Sequence, residues 1–105
     1  MKMTPVRATE SEVAAALAGL PQWRRDGDAL AATFRFPRFR DAVRFTTEVA
    51  EVAEEMDHHP EWRVVYRVVD VSMTTHDVGG LSTLDFQLAG RVAALAAALG
   101  AAPAS

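Results

Sequence analysis

Three histidines carry most of the chemistry this sequence could do. Two stand side by side in Glu54-Glu-Met-Asp57-His58-His59-Pro60-Glu61-Trp62, among carboxylates, and the third, His76, lies eighteen residues beyond His58. Imidazole is the side chain that titrates nearest neutral pH, so a cluster of it is raw material for proton transfer to and from a substrate. Neighbouring residues of a regular helix or strand point in different directions, so His58 and His59 can share a pocket only at an irregular spot. Pro60 makes such a spot: it disfavours the α region at His59, so a helix approaching it ends by about Asp57 or His58. If the last turn persists, Glu54 lies one turn before His58 and within its reach. His76 ends a strand at the start of a loop, where a sheet can hold it rigidly.

Duller roles compete with this one. His58 could cap the last helical carbonyls and His59 could be a turn residue. Trp62 reads first as a core or edge-strand aromatic. Asp85 reads first as a helix N3 acid favoured by the macrodipole. Glu54 and Asp57 fit a solvated acidic face. Capping explains one histidine better than three. Metal binding is disfavoured, because two adjacent histidines before a proline lack the i, i+4 spacing that puts both on one helical face. No Gly-x-Ser-x-Gly elbow is present, and Gly79-Gly80 lacks the lysine and glycine spacing of a phosphate loop.

The elements that must position these residues are legible in outline. Thr9-Glu-Ser-Glu12 is a capping box opening a first helix through Val13, Ala16, Leu17 and Leu20, stopped by Gly19 and Pro21. Trp23 to Arg25 predicts a short strand, Asp26-Gly27-Asp28 a tight turn, and Ala29 to Phe36 the returning strand. From Phe39 to about Met56, apolar residues recur at Val43, Thr46 or Thr47, Val49 or Ala50, Ala53 and Met56. That is an amphipathic helix whose far face is acidic at Glu48, Glu51, Glu54 and Glu55. Trp62 to Thr75 predicts one or two strands, and periodicity cannot choose between a bulge and a tight hairpin near Arg67 to Asp70. A loop follows at 76–81. Ser82-Thr-Leu-Asp85 then caps a last helix whose stripe is Leu84, Leu88, Val92, Leu95 and Leu99, ended by Gly100. Short strands in runs between helices predict an α+β domain, one antiparallel sheet covered by helices on one face.

The whole chain bounds the rest. Its 105 residues suit one domain spanning 1–105; half are apolar, a quarter are charged, and the net charge is −3. Interspersed charges leave no basic footprint for nucleic acid or an anionic membrane. The absence of cysteine removes disulfides, thiolate metal sites and a cysteine nucleophile. The first ten residues lack an apolar h-region and the longest apolar run, 92–99, is too short to span a bilayer, so a cytoplasmic location is expected.

Taken together, Glu54-x-x-Asp57-His58-His59-Pro60-x-Trp62, Tyr66, Thr75-His76, Gly80-Leu81-Ser82 and Asp85 resemble the pterin-4a-carbinolamine dehydratase family. The likeness extends to Trp23, Phe34-x-Phe36, Phe39 and Phe45. The resemblance implies a four-stranded antiparallel sheet with three helices on one face, in the order α-β-β-α-β-β-α, assembling as a homodimer or homotetramer. It implies a metal-free, cofactor-free lyase that removes water from a 4a-hydroxytetrahydropterin in tetrahydrobiopterin recycling. Residue by residue, it makes His58 and His76 the acid/base pair and His59 the histidine that chiefly holds the pterin. It places Glu54, Asp57, Trp62, Thr74, Thr75 and Asp85 around the substrate. Two alternatives remain at this stage. One is a related enzyme acting on another pterin. The other is a dimerisation or coactivator-type module, with the Leu88, Val92, Leu95, Leu99 face as its docking surface.

Overall fold

A computed structural model describes residues 4–103. The elements are α1 (Glu10–Ala18), β1 (Arg24–Asp26), β2 (Ala29–Arg35), α2 (Phe39–Met56), β3 (Glu61–Val65), β4 (Val68–Met73), a 3₁₀ turn (His76–Val78), α3 (Thr83–Ala98) and β5 (Ala102–Pro103). The order is the expected one, with a two-residue strand added after α3. All pairings are antiparallel, in the spatial order β1-β2-β4-β3. Because β4 occupies one side of β2 at Phe34 and Arg35, β5 pairs with the same two residues on the side that β1 borders further along.

Alternation along the strands decides which face is covered. Leu30, Ala32 and Phe34 of β2 and Val69, Val71 and Met73 of β4 point into one buried cluster. All three helices reach that cluster: Val13 from α1, Ala42, Phe45 and Val49 from α2, Leu88, Ala89, Val92 and Ala96 from α3. Phe45 sits at its centre, with ring centroids 4.9 Å from Phe36 and 5.5 Å from Phe34, and Trp23 meets Phe34 edge-on at 6.1 Å. The Trp23 indole N–H donates to the Ala89 carbonyl at 3.0 Å, tying β1 to α3. The opposite face is polar, with Thr33 donating to Asp70 across β2 and β4 at 2.6 Å.

Some local expectations are corrected, and one left open between a bulge and a hairpin is resolved. Val43 is exposed, and the buried line on α2 runs Ala42, Phe45, Val49, Ala53. Both phases fit a 3.6 period, and the large aromatic surface of Phe45 sets which one faces the sheet. The stretch after Trp62 is a tight hairpin turning at Tyr66 and Arg67, with Val65 opposite Val68. Tyr66 takes a left-handed φ of 51°, which the regular alternation through it could not reveal. On α3, Leu88 and Val92 are wholly buried in the core, so the proposed docking stripe is largely interior.

Candidate active site

The site begins with how α2 ends. Asp57 adopts a left-handed conformation, φ 50° and ψ 44°. Its N–H donates to the Glu54 carbonyl, and the His58 N–H reaches back to Ala53 at 3.0 Å. This is the paired closure of a Schellman motif, with Asp in the place glycine usually takes. The chain therefore leaves the helical spiral three residues before Pro60. His58 turns inward while His59 stays outside.

That turn overturns the expected pairing. Glu54 does not meet His58; its carboxylate lies 2.8 Å from Nε2 of His59, and both side chains are mostly in solvent. His58 is buried, and its Nε2 lies 2.7 Å from Oδ1 of Asp85, which has no exposed surface. Asp85 is the N3 residue of α3, and its Oδ2 accepts the Ser82 N–H at 2.9 Å to complete the capping box. The same oxygen accepts the Thr75 hydroxyl at 2.7 Å, and Oγ1 of Thr75 lies 2.7 Å from the Ser82 hydroxyl. Asp85 is thus the helix cap expected of it, and the same carboxylate backs His58.

His76 follows from the loop. Thr75 and Gly80 pair through their backbones, the Thr75 N–H donating to Gly80 at 3.0 Å, which closes residues 76–79 into a compact 3₁₀ turn. The His76 side chain stays exposed at its start. The segment before α1 buttresses this loop. Ala8 N–H donates to Leu81 at 2.7 Å, and the Arg7 guanidinium lies against Gly80, about 3.0 Å from where a Cβ would stand. Any larger residue at Gly80 would displace that arginine.

His58, His59 and His76 come together on one cavity of about 340 Å³, whose wall also includes Asp57, Thr74 and Thr75. The size is within the range of small-molecule sites. Three other residues named from the sequence are placed differently. Glu54 acts through His59, Asp85 lies behind His58, and Trp62 stands half-exposed on β3 opposite Val71. Thr74 also donates to the Asp28 carbonyl at 2.6 Å, bracing the cavity wall against the β1–β2 turn. Sequence reasoning missed Pro5, Met56, Asp77 and Leu84 as wall residues and Ser82 as part of the buried network. Ser82 was visible only as a cap, and nothing near Pro5 signals that its segment folds back onto the cavity. Among the described residues, no group of three or more His, Asp or Glu side chains is arranged to hold a metal ion.

The α+β scaffold thus gathers three imidazoles on one cavity, an arrangement of side chains that can give and take protons near neutral pH. The family model described as pterin 4 alpha carbinolamine dehydratase matches residues 6–95, and the chain belongs to that family. A Bradyrhizobium diazoefficiens protein named "Putative pterin-4-alpha-carbinolamine dehydratase" is 49% identical over 83 residues, covering 77% of this chain and 83% of that one. A Novosphingobium aromaticivorans protein of the same name is 51% identical over 89 residues, covering 83% and 93%. A Brucella melitensis crystal structure, titled a transcriptional coactivator/pterin dehydratase, superposes with a TM-score of 0.84 at 39% identity, covering 87% of this chain and 99% of that one.

Proposed function

We propose that the protein removes water from a 4a-hydroxytetrahydropterin, the step that returns tetrahydrobiopterin to its cycle through the quinonoid dihydropterin. The observation that carries the reading is the convergence of His58, His59 and His76 on one cavity. Family membership and the relatives' names support the substrate class.

The chemistry follows from the leaving group. Hydroxide departs poorly, so an imidazolium donates a proton to the 4a-oxygen as the C4a–O bond breaks, and water leaves. The electron pair of the adjacent ring N–H becomes the new carbon–nitrogen double bond, and a second imidazole takes that proton. One histidine gives a proton and the other receives one, so a turnover leaves the protonation states of His58 and His76 interchanged, and proton exchange with solvent resets them. Each transfer of this kind is typically worth about a hundred- to ten-thousand-fold. His59, oriented by Glu54 and open to solvent, holds the pterin. No metal or cofactor enters the reaction.

The active form is proposed to be a homodimer or homotetramer. Among the described residues no strand pairs with the outer edge of β3, where Trp62 and Val65 are exposed, with Tyr66 exposed at the turn beyond. No nucleic-acid or membrane partner belongs to this reading. Among the described residues, no helix is long and apolar enough to cross a membrane.

The test is dehydration of chemically generated 4a-hydroxytetrahydropterin followed by absorbance. Wild-type protein accelerates it, His58→Ala and His76→Ala each slow it, and the double variant approaches the uncatalysed rate. A wild-type protein that leaves the uncatalysed rate unchanged overturns the reading.

A further inference from the structure

Counting donors and acceptors assigns the hydroxyl hydrogens of the buried network behind His58. Asp85, Ser82 and Thr75 are all more than nine-tenths buried, so each of their side-chain polar atoms needs a partner inside the protein. Oδ2 of Asp85 accepts the Ser82 N–H and faces the Thr75 hydroxyl. Thr75 and Ser82 share one contact, and the Ser82 hydroxyl oxygen also accepts the Leu84 N–H at 3.3 Å. Suppose Asp85 carried a proton and gave it to Thr75. Thr75 would then donate to Ser82, and the Ser82 hydroxyl hydrogen would have no acceptor at a fully buried position. In the opposite direction nothing is orphaned: Ser82 donates to Thr75, and the Thr75 hydroxyl and the Ser82 N–H both donate to Oδ2 of Asp85, two hydrogen bonds that favour its ionised form. One hydrogen lies between Oδ1 and Nε2 of His58, 2.7 Å apart, and with the carboxyl ionised it belongs to the nitrogen, imidazole being a stronger base than carboxylate.

We propose that the Ser82–Thr75 hydroxyl chain is a one-way donor relay that keeps Asp85 ionised and thereby locks His58 as the Nε2–H tautomer, leaving Nδ1 as the nitrogen that exchanges protons with substrate. Thr75 and Ser82 are positioning residues in this scheme. Thr75 borders the cavity, but its hydroxyl hydrogen points away toward the carboxylate. A neutral His58 in this tautomer presents a bare Nδ1 lone pair and is a base. Protonated at both nitrogens, it donates from Nδ1 and is an acid. The relay thus fixes which atom reacts in either role. The proposal deepens the dehydratase reading and rests on it for its kinetic consequence, while the tautomer itself does not.

Nitrogen-15 NMR of histidine-labelled full-length protein reads the tautomer directly. At a pH where His58 is neutral, wild-type protein shows a protonated Nε2 and a bare Nδ1, whatever its activity. Thr75→Val removes the donor to Asp85 and the acceptor for Ser82 at nearly constant volume. It mixes the two tautomers and lowers kcat about tenfold, as loss of a hydrogen bond to a charged group does, with KM changed less than twofold. Thr75→Ser restores the pure tautomer and brings kcat within about threefold of wild type. Ser82→Ala, in which Thr75 can still donate, keeps the tautomer and gives a smaller kcat loss. A wild-type spectrum with the hydrogen on Nδ1 overturns the proposal, as does a folded Thr75→Val protein with unchanged tautomer and kcat. If Thr75→Val does not fold, the wild-type and Thr75→Ser spectra still decide it. An Nε2–H spectrum from an inactive wild-type protein sinks the dehydratase reading alone.

Discussion

At the scale of single residues, the site divides into a buried half and an exposed half, and the two should respond differently to substitution. Asp85→Asn keeps an oxygen for the Ser82 and Thr75 donors only by placing its N–H₂ against Nε2 of His58, so the ring keeps that contact only by moving its hydrogen to Nδ1. Steady-state kinetics should show kcat reduced by on the order of a hundredfold, the scale of one acid/base contribution. The melting temperature should fall as well, because a neutral amide oxygen accepts the Thr75 and Ser82 hydrogen bonds more weakly than a carboxylate. His59→Ala removes a side chain that is more than half in solvent. It should leave urea stability within about 0.5 kcal/mol of wild type and act mainly on KM. The histidine cluster itself was legible in the sequence because adjacent imidazoles before proline need an irregular backbone. The partner of each was not. A single left-handed residue, Asp57, reverses the direction in which His58 leaves the helix, and no periodicity registers one reversed φ.

At the scale of elements, the capping boxes of α1 and α3 were readable because they are set by residues three apart in the chain. The turn at Tyr66 was hidden because its neighbours are all β-formers. A tyrosine at φ 51° is strained, and asparagine tolerates that region better. Tyr66→Asn should therefore raise stability by about 1 kcal/mol, net of the Arg67 guanidinium 5.3 Å from the tyrosine ring. For a domain of this size that is roughly 4 °C in a thermal melt, and a lower melting temperature would refute it. The α1 cap makes a pH prediction. The Thr9 N–H holds the Glu12 carboxyl below its ordinary value, with help from the Thr9 hydroxyl. A lowered carboxyl contributes stability that is complete above its unfolded value and vanishes as pH falls through the folded one. The melting deficit of Glu12→Gln relative to wild type should thus be present at pH 7 and disappear on acidification.

At the scale of the whole molecule, one aromatic cluster joins sheet and helices. Phe45 contacts both Phe34 and Phe36 and is fully buried, so Phe45→Ala should cost about 3–5 kcal/mol in urea unfolding. The α+β class and the one-sided cover were readable because they follow from alternation summed over many residues. Which phase of α2 faces the sheet was not, because Val43 and Ala42 both fit the period and only tertiary contact separates them. The two borders of the sheet are also unequal. One is broken into the three residues of β1 and the two of β5, set end to end along β2. The other is the uninterrupted five-residue β3. Among the described residues, each copy therefore has a single border long enough to accept another chain. Two copies joined there use up both of their usable borders. Backbone pairing by that route ends at a closed pair and cannot propagate into a fibre.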